Sequence, residues 1–502
     1  MHFQEKDLKF IKERGSDPSI VEHQLNRFNS GFPFSKVIEP ATVSNGIMAL
    51  REEEKKEMAD LFDSDKGDFQ ICRFIPASGA ATRMFKELFA LRDELKGKSR
   101  QKQLEYIRNT TINEKFFNVL AQYPFCQEMN IEGEESPDKI IDLLLGDKGL
   151  NYGSLPKGLI SFHNYGEISR TAFEEHLHES ARIIGENSVV RIHFTVSEEH
   201  LGGFKSVEKS VVPALENAYN VSFEISYSFQ KKSTDTIAVD MNNEPFRDQE
   251  GNLVFRPGGH GALIENLNDL ESDIVFINNI DNVSPDANSS NRKLHKKMLG
   301  GLLIKLRQEA ESLMEEVSLA TNEDSLAEVK KWLQDIANFQ LNSGFEAMDF
   351  SRKKAYLHAM LDRPLRICGM VKNEGEPGGG PFFTLNTQGE VALQIVEKSQ
   401  IDIEDQEQAS LLSRSTHFNP VDIVCSLKRV NGKKYHLPDF IDPETGFISN
   451  KSVKGQDLKA LELPGLWNGS MAGWLSVFVE IPSSTFTPVK TVFDLVKPAH
   501  RI

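Results

Sequence analysis

The sequence predicts an α/β fold with a mostly parallel, mixed sheet flanked by helices and interrupted by helical insertions. Three stretches carry this expectation. The apolar run at 71–77 is followed by the small-residue turn Ser78-Gly79-Ala80-Ala81, and then by Met84, Leu88, Leu91 and Leu95 at helical spacing. Val221, Phe223, Ile225, Tyr227 and Phe229 alternate strictly with polar residues, directly after a helical stretch at about 206–219. The run 273–280 is again apolar and ends in Asn278-Asn279-Ile280-Asp281-Asn282. Strands that alternate with helices argue for a parallel sheet covered on both faces.

The remaining elements follow in order. Residues 1–70 read as charged helices with a loop near Pro33, and 51–63 as a solvated helix face. Residues 100–150 read as a helical insertion packed through Leu104, Ile107, Phe116, Leu120 and Leu143. Phe173, Leu177, Ala181 and Ile184 share one helix face, and 189–196 is a strand. Residues 284–345, rich in Lys, Glu and Leu, form a second helical insertion. Strands resume at 365–371 and 391–396, with a glycine-rich loop at 376–381 between them. The expected organisation is an N-terminal helical segment at 1–70, a catalytic domain at 71–420 and a segment at 421–502 that completes the site. The insertions lie at about 97–152 and 284–362.

Composition excludes several classes of function. A net charge of −16 repels nucleic acid and anionic membranes, so neither is an expected partner. An anionic substrate would then need local cations or a metal ion. Cys72, Cys126, Cys368 and Cys425 are widely spaced, which argues for buried thiols and against a disulfide framework or a zinc site. The opening residues lack the apolar core of a signal peptide, and no apolar run is long enough to span a membrane. A soluble, cytoplasmic protein is expected.

In open α/β sheets ligands bind at the C-terminal strand ends. The Ser78–Arg83 turn and Asp281 both follow predicted strands. A small-residue turn at a helix start presents backbone N–H groups to an anion.

Five segments occur in one order: PASGAATRM (76–84), LPKGLI (155–160), RPGGHGAL (256–263), VFINNIDNV (275–283) and TFTPVKTVFDLV (485–496). SFQ (228–230), LQIVEKSQI (393–401) and THFNP (416–420) accompany them. This ordered set resembles the sugar nucleotidyltransferases, most closely the UDP-sugar pyrophosphorylase branch, with a bacterial origin expected. The resemblance implies a Rossmann-like, GT-A-like fold of the nucleotide-diphospho-sugar transferase type. It also implies a reaction in which a nucleoside triphosphate, UTP favoured, and a sugar 1-phosphate form a nucleotide sugar and pyrophosphate.

Site residues follow from the same resemblance. Asp281 matches the Asp that holds Mg²⁺, with a plain turn residue as the alternative. Arg83 matches the Arg that grips the triphosphate, and a guanidinium suits phosphate oxygens. Lys157 and Lys490 match phosphate-binding lysines. Ser78, Gly79, Ala80 and Thr82 would line the nucleotide phosphates. Gln230, Gly259, His260 and Gly261 would meet the base, although His260 also reads as a satisfied structural histidine. Glu397 and Asn419 would meet sugar hydroxyls, or else be a surface carboxylate and a turn residue.

The sequence departs from the family in three places. Only Gly79 remains of the usual glycine-rich loop, and alanine resists positive φ, so the loop must avoid such angles or bind differently. Ala262 replaces an acidic residue. The C-terminal β-helix of the branch is expected to be missing. A nucleotide-sugar binding or regulatory protein is therefore an alternative. A GT-A glycosyltransferase is another, though Asp281 lacks an Asp-x-Asp partner. A dinucleotide-dependent oxidoreductase is remote, because G-x-G-x-x-G is absent. Oligomeric state, base and sugar stay open.

Overall fold

The structure is a computed structural model that describes residues 3–110, 113–120, 123, 135–376, 378–429, 431–453 and 456–502. Cys126 and Pro377 lie outside the described residues. The chain divides into two compact units, each made of separate sequence segments. One comprises 1–71, 229–277 and 298–481; the other comprises 72–228, 278–297 and 482–502.

In the second unit the run at 71–77 forms a strand, with bounds Ile71–Pro76. It pairs in parallel with Val189–Thr195, which pairs in parallel with Ser222–Ser228. The alternation seen at 221–229 marks a strand whose polar residues face solvent while its apolar residues are only half-buried. Helix Ala172–Ile184 starts at a capping box, in which Thr171 and Glu174 satisfy each other's backbone N–H groups. Its Phe173 packs on Phe194 and Phe204, with ring centroids 4.7 and 5.4 Å away. Helix Leu201–Tyr219 stops at Asn220, which takes the left-handed conformation at φ 50°. The insertion expected after residue 97 contains helices Arg100–Arg108, Asn113–Leu120 and Pro137–Leu145. Helix Lys86–Leu95 buries Leu88, Leu91 and Leu95, the face that the spacing predicts.

In the first unit Leu365–Lys372 pairs in parallel with Leu475–Glu480, which pairs in parallel with Gly46–Met48. Asp422–Ser426 and His417–Phe418 pair with Leu365–Lys372 antiparallel. The expected mixed, mostly parallel sheet with flanking helices is therefore present. Two antiparallel sheets accompany it in this unit. One joins Val37–Pro40, Gly380–Leu385 and Val391–Val396; the other joins Phe255–Arg256, Thr236–Val239, Gln456–Glu462 and Phe447–Val453.

Residues 1–70 are not wholly helical. Helices Glu5–Glu13, Pro18–Ser30 and Glu52–Asp65 are joined by strands Val37–Pro40, Thr42–Val43 and Gly46–Met48. Strands of two to four residues are too short to show a period, which is why the sequence pattern hides them. Helix Ser289–Leu319 begins the second insertion. Gly300 and Gly301 let it approach helix Glu52–Asp65 closely: a Cβ at Gly301 would stand 1.8 Å from the Met58 carbonyl oxygen. Among the described residues no helix is long and apolar enough to cross a membrane. Cys72, Cys368 and Cys425 are buried, and burial pushes the Cys368 thiol up to about 11.

Candidate functional site

The second unit gathers three of the five ordered segments, together with residues 278–283 of a fourth. The Ser78–Ala81 turn and Leu155–Lys157 run antiparallel: the Ala81 N–H donates to the Leu155 carbonyl at 3.1 Å, and the Lys157 N–H to that of Gly79 at 3.2 Å. Ser78, Gly79, Ala80, Thr82 and Arg83 are exposed. The turn avoids positive φ throughout, with Ala80 at φ −62°, so the loss of glycines costs it no strain. Arg83 closes a 3₁₀ turn at Ala81–Arg83, and the α-helix begins only at Lys86. Gly158 is required where it stands, because a Cβ there would lie 2.7 Å from the Phe204 ring.

Lys157, Asp281 and Lys490 meet. Lys157 Nζ donates to Asp281 Oδ2 at 2.7 Å and to the Val489 carbonyl at 2.8 Å. Lys490 Nζ reaches Asp281 Oδ2 at 3.2 Å. Burial alone would raise the pKa of the Asp281 carboxyl, but the two ammonium groups outweigh it and hold the group below its ordinary value. Lys157 is only 14% exposed, whereas Lys490 is 54% exposed. The backbone supports this meeting, since the Val489 N–H donates to the Asp281 carbonyl at 3.0 Å. Asp494 then accepts from the backbone N–H groups of Lys490 and Thr491 at 2.9 and 2.7 Å.

A buried polar network, missed in the sequence, lies next to this segment. Arg73 donates to Glu179 at 2.6 Å and to Asn278 at 2.9 Å. Glu179 also accepts from Arg292 Nε at 2.9 Å. Arg292 in turn donates to the Asn282 carbonyl at 2.9 Å and to that of Thr485. His176 Nε2 donates to the Ile280 carbonyl at 3.1 Å, and burial pulls its pKa down to about 3, so the ring is neutral. These contacts grip residues 278, 280 and 282, on both sides of Asp281. The available signal was Arg73 itself, a charge inside an apolar strand.

The first unit gathers the other expected residues. Gly259 has φ 78°, a glycine conformation. A Cβ at Gly261 would lie 2.0 Å from the Pro464 carbonyl oxygen. The His260 ring stacks on Trp467 with centroids 4.3 Å apart. Its Nδ1 accepts from the Leu466 N–H at 3.0 Å, so the proton sits on Nε2, 4.0 Å from Glu397 Oε1. Burial lowers the His260 pKa, against the pull of Glu397 and Glu462, which favours this neutral form. Glu397 also accepts from Asn468 Nδ2 at 2.9 Å. The Gln230 amide donates to Asp235 at 3.3 Å. Trp467 and Asn468 belong to this cluster, and no sequence pattern pointed to them. Asn419 is buried, and its amide holds backbone at both ends: it donates to the Gly369 carbonyl at 3.1 Å and accepts from the Val421 N–H at 3.0 Å. Both bonds hold the turn at 419–421, which is the turn role the sequence offered as the alternative.

Residues 4–501 match the family described as domain of unknown function (DUF4301). The chain belongs to the DUF4301 family. No curated protein matches it. Among solved structures, this DUF4301 chain is similar to a variant of UDP-glucose pyrophosphorylase from Leishmania major in complex with UDP-glucose. That match has 12% identity and a TM-score of 0.44, and covers 97% of this chain and 77% of that one. It is also similar to the uridine diphosphate N-acetylglucosamine pyrophosphorylase from Trypanosoma brucei in complex with inhibitor. There the identity is 13% and the TM-score 0.47, with 95% of this chain and 74% of that one covered.

Among the described residues no group of three or more His, Cys, Asp or Glu side chains is placed to hold a metal ion. Asp281 offers one ionised carboxylate. Mg²⁺ is commonly held by one or two carboxylates together with substrate phosphates and water, so a single carboxylate is compatible with that ion, although here the Lys157 and Lys490 ammonium groups occupy it.

Proposed function

We propose that this DUF4301 protein is a nucleotidyltransferase. It joins a nucleoside triphosphate, UTP favoured, to a phosphorylated small molecule, a sugar 1-phosphate favoured, and releases pyrophosphate. The observation that carries this reading is the convergence of Lys157 and Lys490 on the buried carboxylate of Asp281. Three segments far apart in sequence bring one carboxylate and two cations together. Phosphoryl chemistry needs chiefly such positioning and charge neutralisation.

In this reading the two ammonium groups exchange Asp281 for phosphate oxygens when substrate arrives. Lys157 stays anchored by the Val489 carbonyl as it does so. The exposed Arg83 supplies a forked pair of donors to the triphosphate. Mg²⁺ bound at Asp281 would neutralise phosphate charge.

A second reading, a nucleotide-sugar binding protein without turnover, is favoured by one observation. Asp281 is a lone carboxylate already paired with both lysines.

Pyrophosphate release separates the two. Purified protein with Mg²⁺, each of the four common NTPs and a panel of sugar 1-phosphates should release pyrophosphate for at least one pair. Asp281→Asn and Arg83→Ala should each lower the rate about 10²-fold or more. Silence from every pair, with nucleotide-sugar binding retained in calorimetry, would sink the enzyme reading and leave the binding protein.

A further inference from the structure

The first unit also contains a cavity of about 810 Å³. It lies where strands Leu365–Lys372 and Leu475–Glu480 begin, and Leu365 and Leu475 form part of its wall. His260, Glu397, Gln230 and Asn419 are not among its lining residues. Its size is that of a pocket for a drug- or nucleotide-sized molecule.

One wall is a single face of helix Ser289–Leu319. Arg307, Ala310, Glu311, Met314, Glu315 and Ser318 line it at helical spacing. Across from them stand Asp362, Arg363, Lys428, Arg429, Lys433 and Tyr435. Two of the cations are already neutralised. Arg429 Nε donates to Asp362 at 2.8 Å, with its guanidinium 4.4 Å from the Tyr435 ring centroid, and Lys428 pairs with Asp273 at 3.2 Å.

Arg307 and Arg363 differ. Among the described residues Arg307 Nη2 reaches the Arg429 carbonyl at 3.4 Å, the guanidinium lies 5.2 Å from the Phe69 ring centroid, and Nη1 is buried without a hydrogen-bond partner. Arg363 is half-buried and lies over the Phe339 ring at 5.6 Å; the buried Glu390 carboxylate acts on it electrostatically, but among the described residues no carboxylate stands within 4 Å of it. Half-buried guanidinium groups without a carboxylate within ion-pair distance are unusual in a chain of net charge −16. Glu311 and Glu315 stand roughly 6 and 12 Å further along the helix, by the rise of 1.5 Å per residue. The cavity is thus polar along its length, cationic at Arg307 and anionic toward Ser318. Ala310, Met314 and Leu361 supply an apolar surface.

We propose that this cavity binds a small amphipathic anion: an apolar or aromatic body that ends in a carboxylate, sulfonate or phosphate. Arg307 and Arg363 hold the anionic group, and the body lies along Ala310, Met314 and Leu361. The proposal does not depend on the reaction proposed above.

Two fluorescent probes test it on the full chain. 8-Anilinonaphthalene-1-sulfonate carries the anion, and N-phenyl-1-naphthylamine has the same rings without it. The sulfonate should titrate one saturable site per chain and bind at least tenfold tighter than the neutral probe. Arg307→Met with Arg363→Met should weaken the sulfonate at least tenfold and leave the neutral probe unchanged. Ala310→Phe, which fills the cavity and keeps both arginines, should remove the site. Circular dichroism and melting verify that each variant is folded. Equal affinity for the two probes, or a sulfonate site that survives either change, overturns the proposal. If Ala310→Phe does not fold, the arginine pair and the neutral probe decide between these outcomes.

Discussion

Asp281 holds a negative charge in a place where burial opposes it, and the two lysines beside it are unequal partners. Lys157 is nearly buried, so its removal leaves the carboxylate underpaired inside the fold. Lys157→Met should cost about 3–5 kcal/mol, the usual result of breaking a buried pair from one side. Lys490 is half in water, and Lys490→Met should cost about 1 kcal/mol or less. Denaturant midpoints for the two variants check this, and equal losses would show that exposure does not govern the pair. The sign with pH follows from the lowered carboxyl pKa. Asp281 contributes stability above the unfolded value near 3.8, and that contribution disappears as pH falls through its lower folded value. At this scale the sequence showed which residues to inspect, because their segments keep a recognisable order. It did not show that the two lysines would meet on one carboxylate, since pairing across hundreds of residues leaves no local trace. Arg73 was visible as an oddity in an apolar strand, but its partner Glu179, and Arg292 on the other side of that carboxylate, sit on helices where charges are commonplace.

Elements place these side chains, and glycines decide two of the close approaches. The loop at 258–261 passes so near Pro464 that Gly261→Ala must move backbone. The expected outcome is a loss of the His260 and Trp467 stack, read as a change in tryptophan emission that Trp467→Phe abolishes. An unchanged spectrum would show that the loop yields elsewhere. The Arg73, Glu179 and Arg292 network makes a second claim. Arg292→Met leaves Glu179 with one guanidinium partner fewer and frees the Asn282 and Thr485 carbonyls. Its melting temperature should fall by several degrees, and the companion change Glu179→Gln should recover part of that fall. No recovery would mean that the carbonyl contacts, and not the buried charge, dominate. Helices and the longer strands were legible because five or more consecutive residues display a period or an unbroken apolar run. The two- to four-residue strands at 37–48 were not, because they are too short to show a period and two of them, Val37–Pro40 and Gly46–Met48, are fixed by partners more than 300 residues away.

Across the whole molecule, protonation couples to folding through histidines. His176, His178 and His500 are each lowered from 6.5 to about 3, burial being the largest cause. Between those values the unfolded chain binds more protons than the folded one, so stability should fall as pH drops from about 6.5. Melting temperatures between pH 7 and 5, above most carboxylate titrations, should show this slope. His178→Phe should make it shallower, and a flat profile would contradict neutral histidines in the fold. Composition gave the class of the molecule and its acidic balance. It could not give a division into two units that each return to the chain more than once. Such a division has a consequence for synthesis. Asp281 and Lys490 are 209 residues apart. A ribosome that adds about 5–20 residues per second needs roughly 10–40 s to travel between them. During that interval a nascent chain carries the aspartate and Lys157 but lacks Val489, whose N–H and carbonyl anchor both. The cluster of Lys157, Asp281 and Lys490 therefore forms only after residue 490 has been made, and a chain released before that point lacks it.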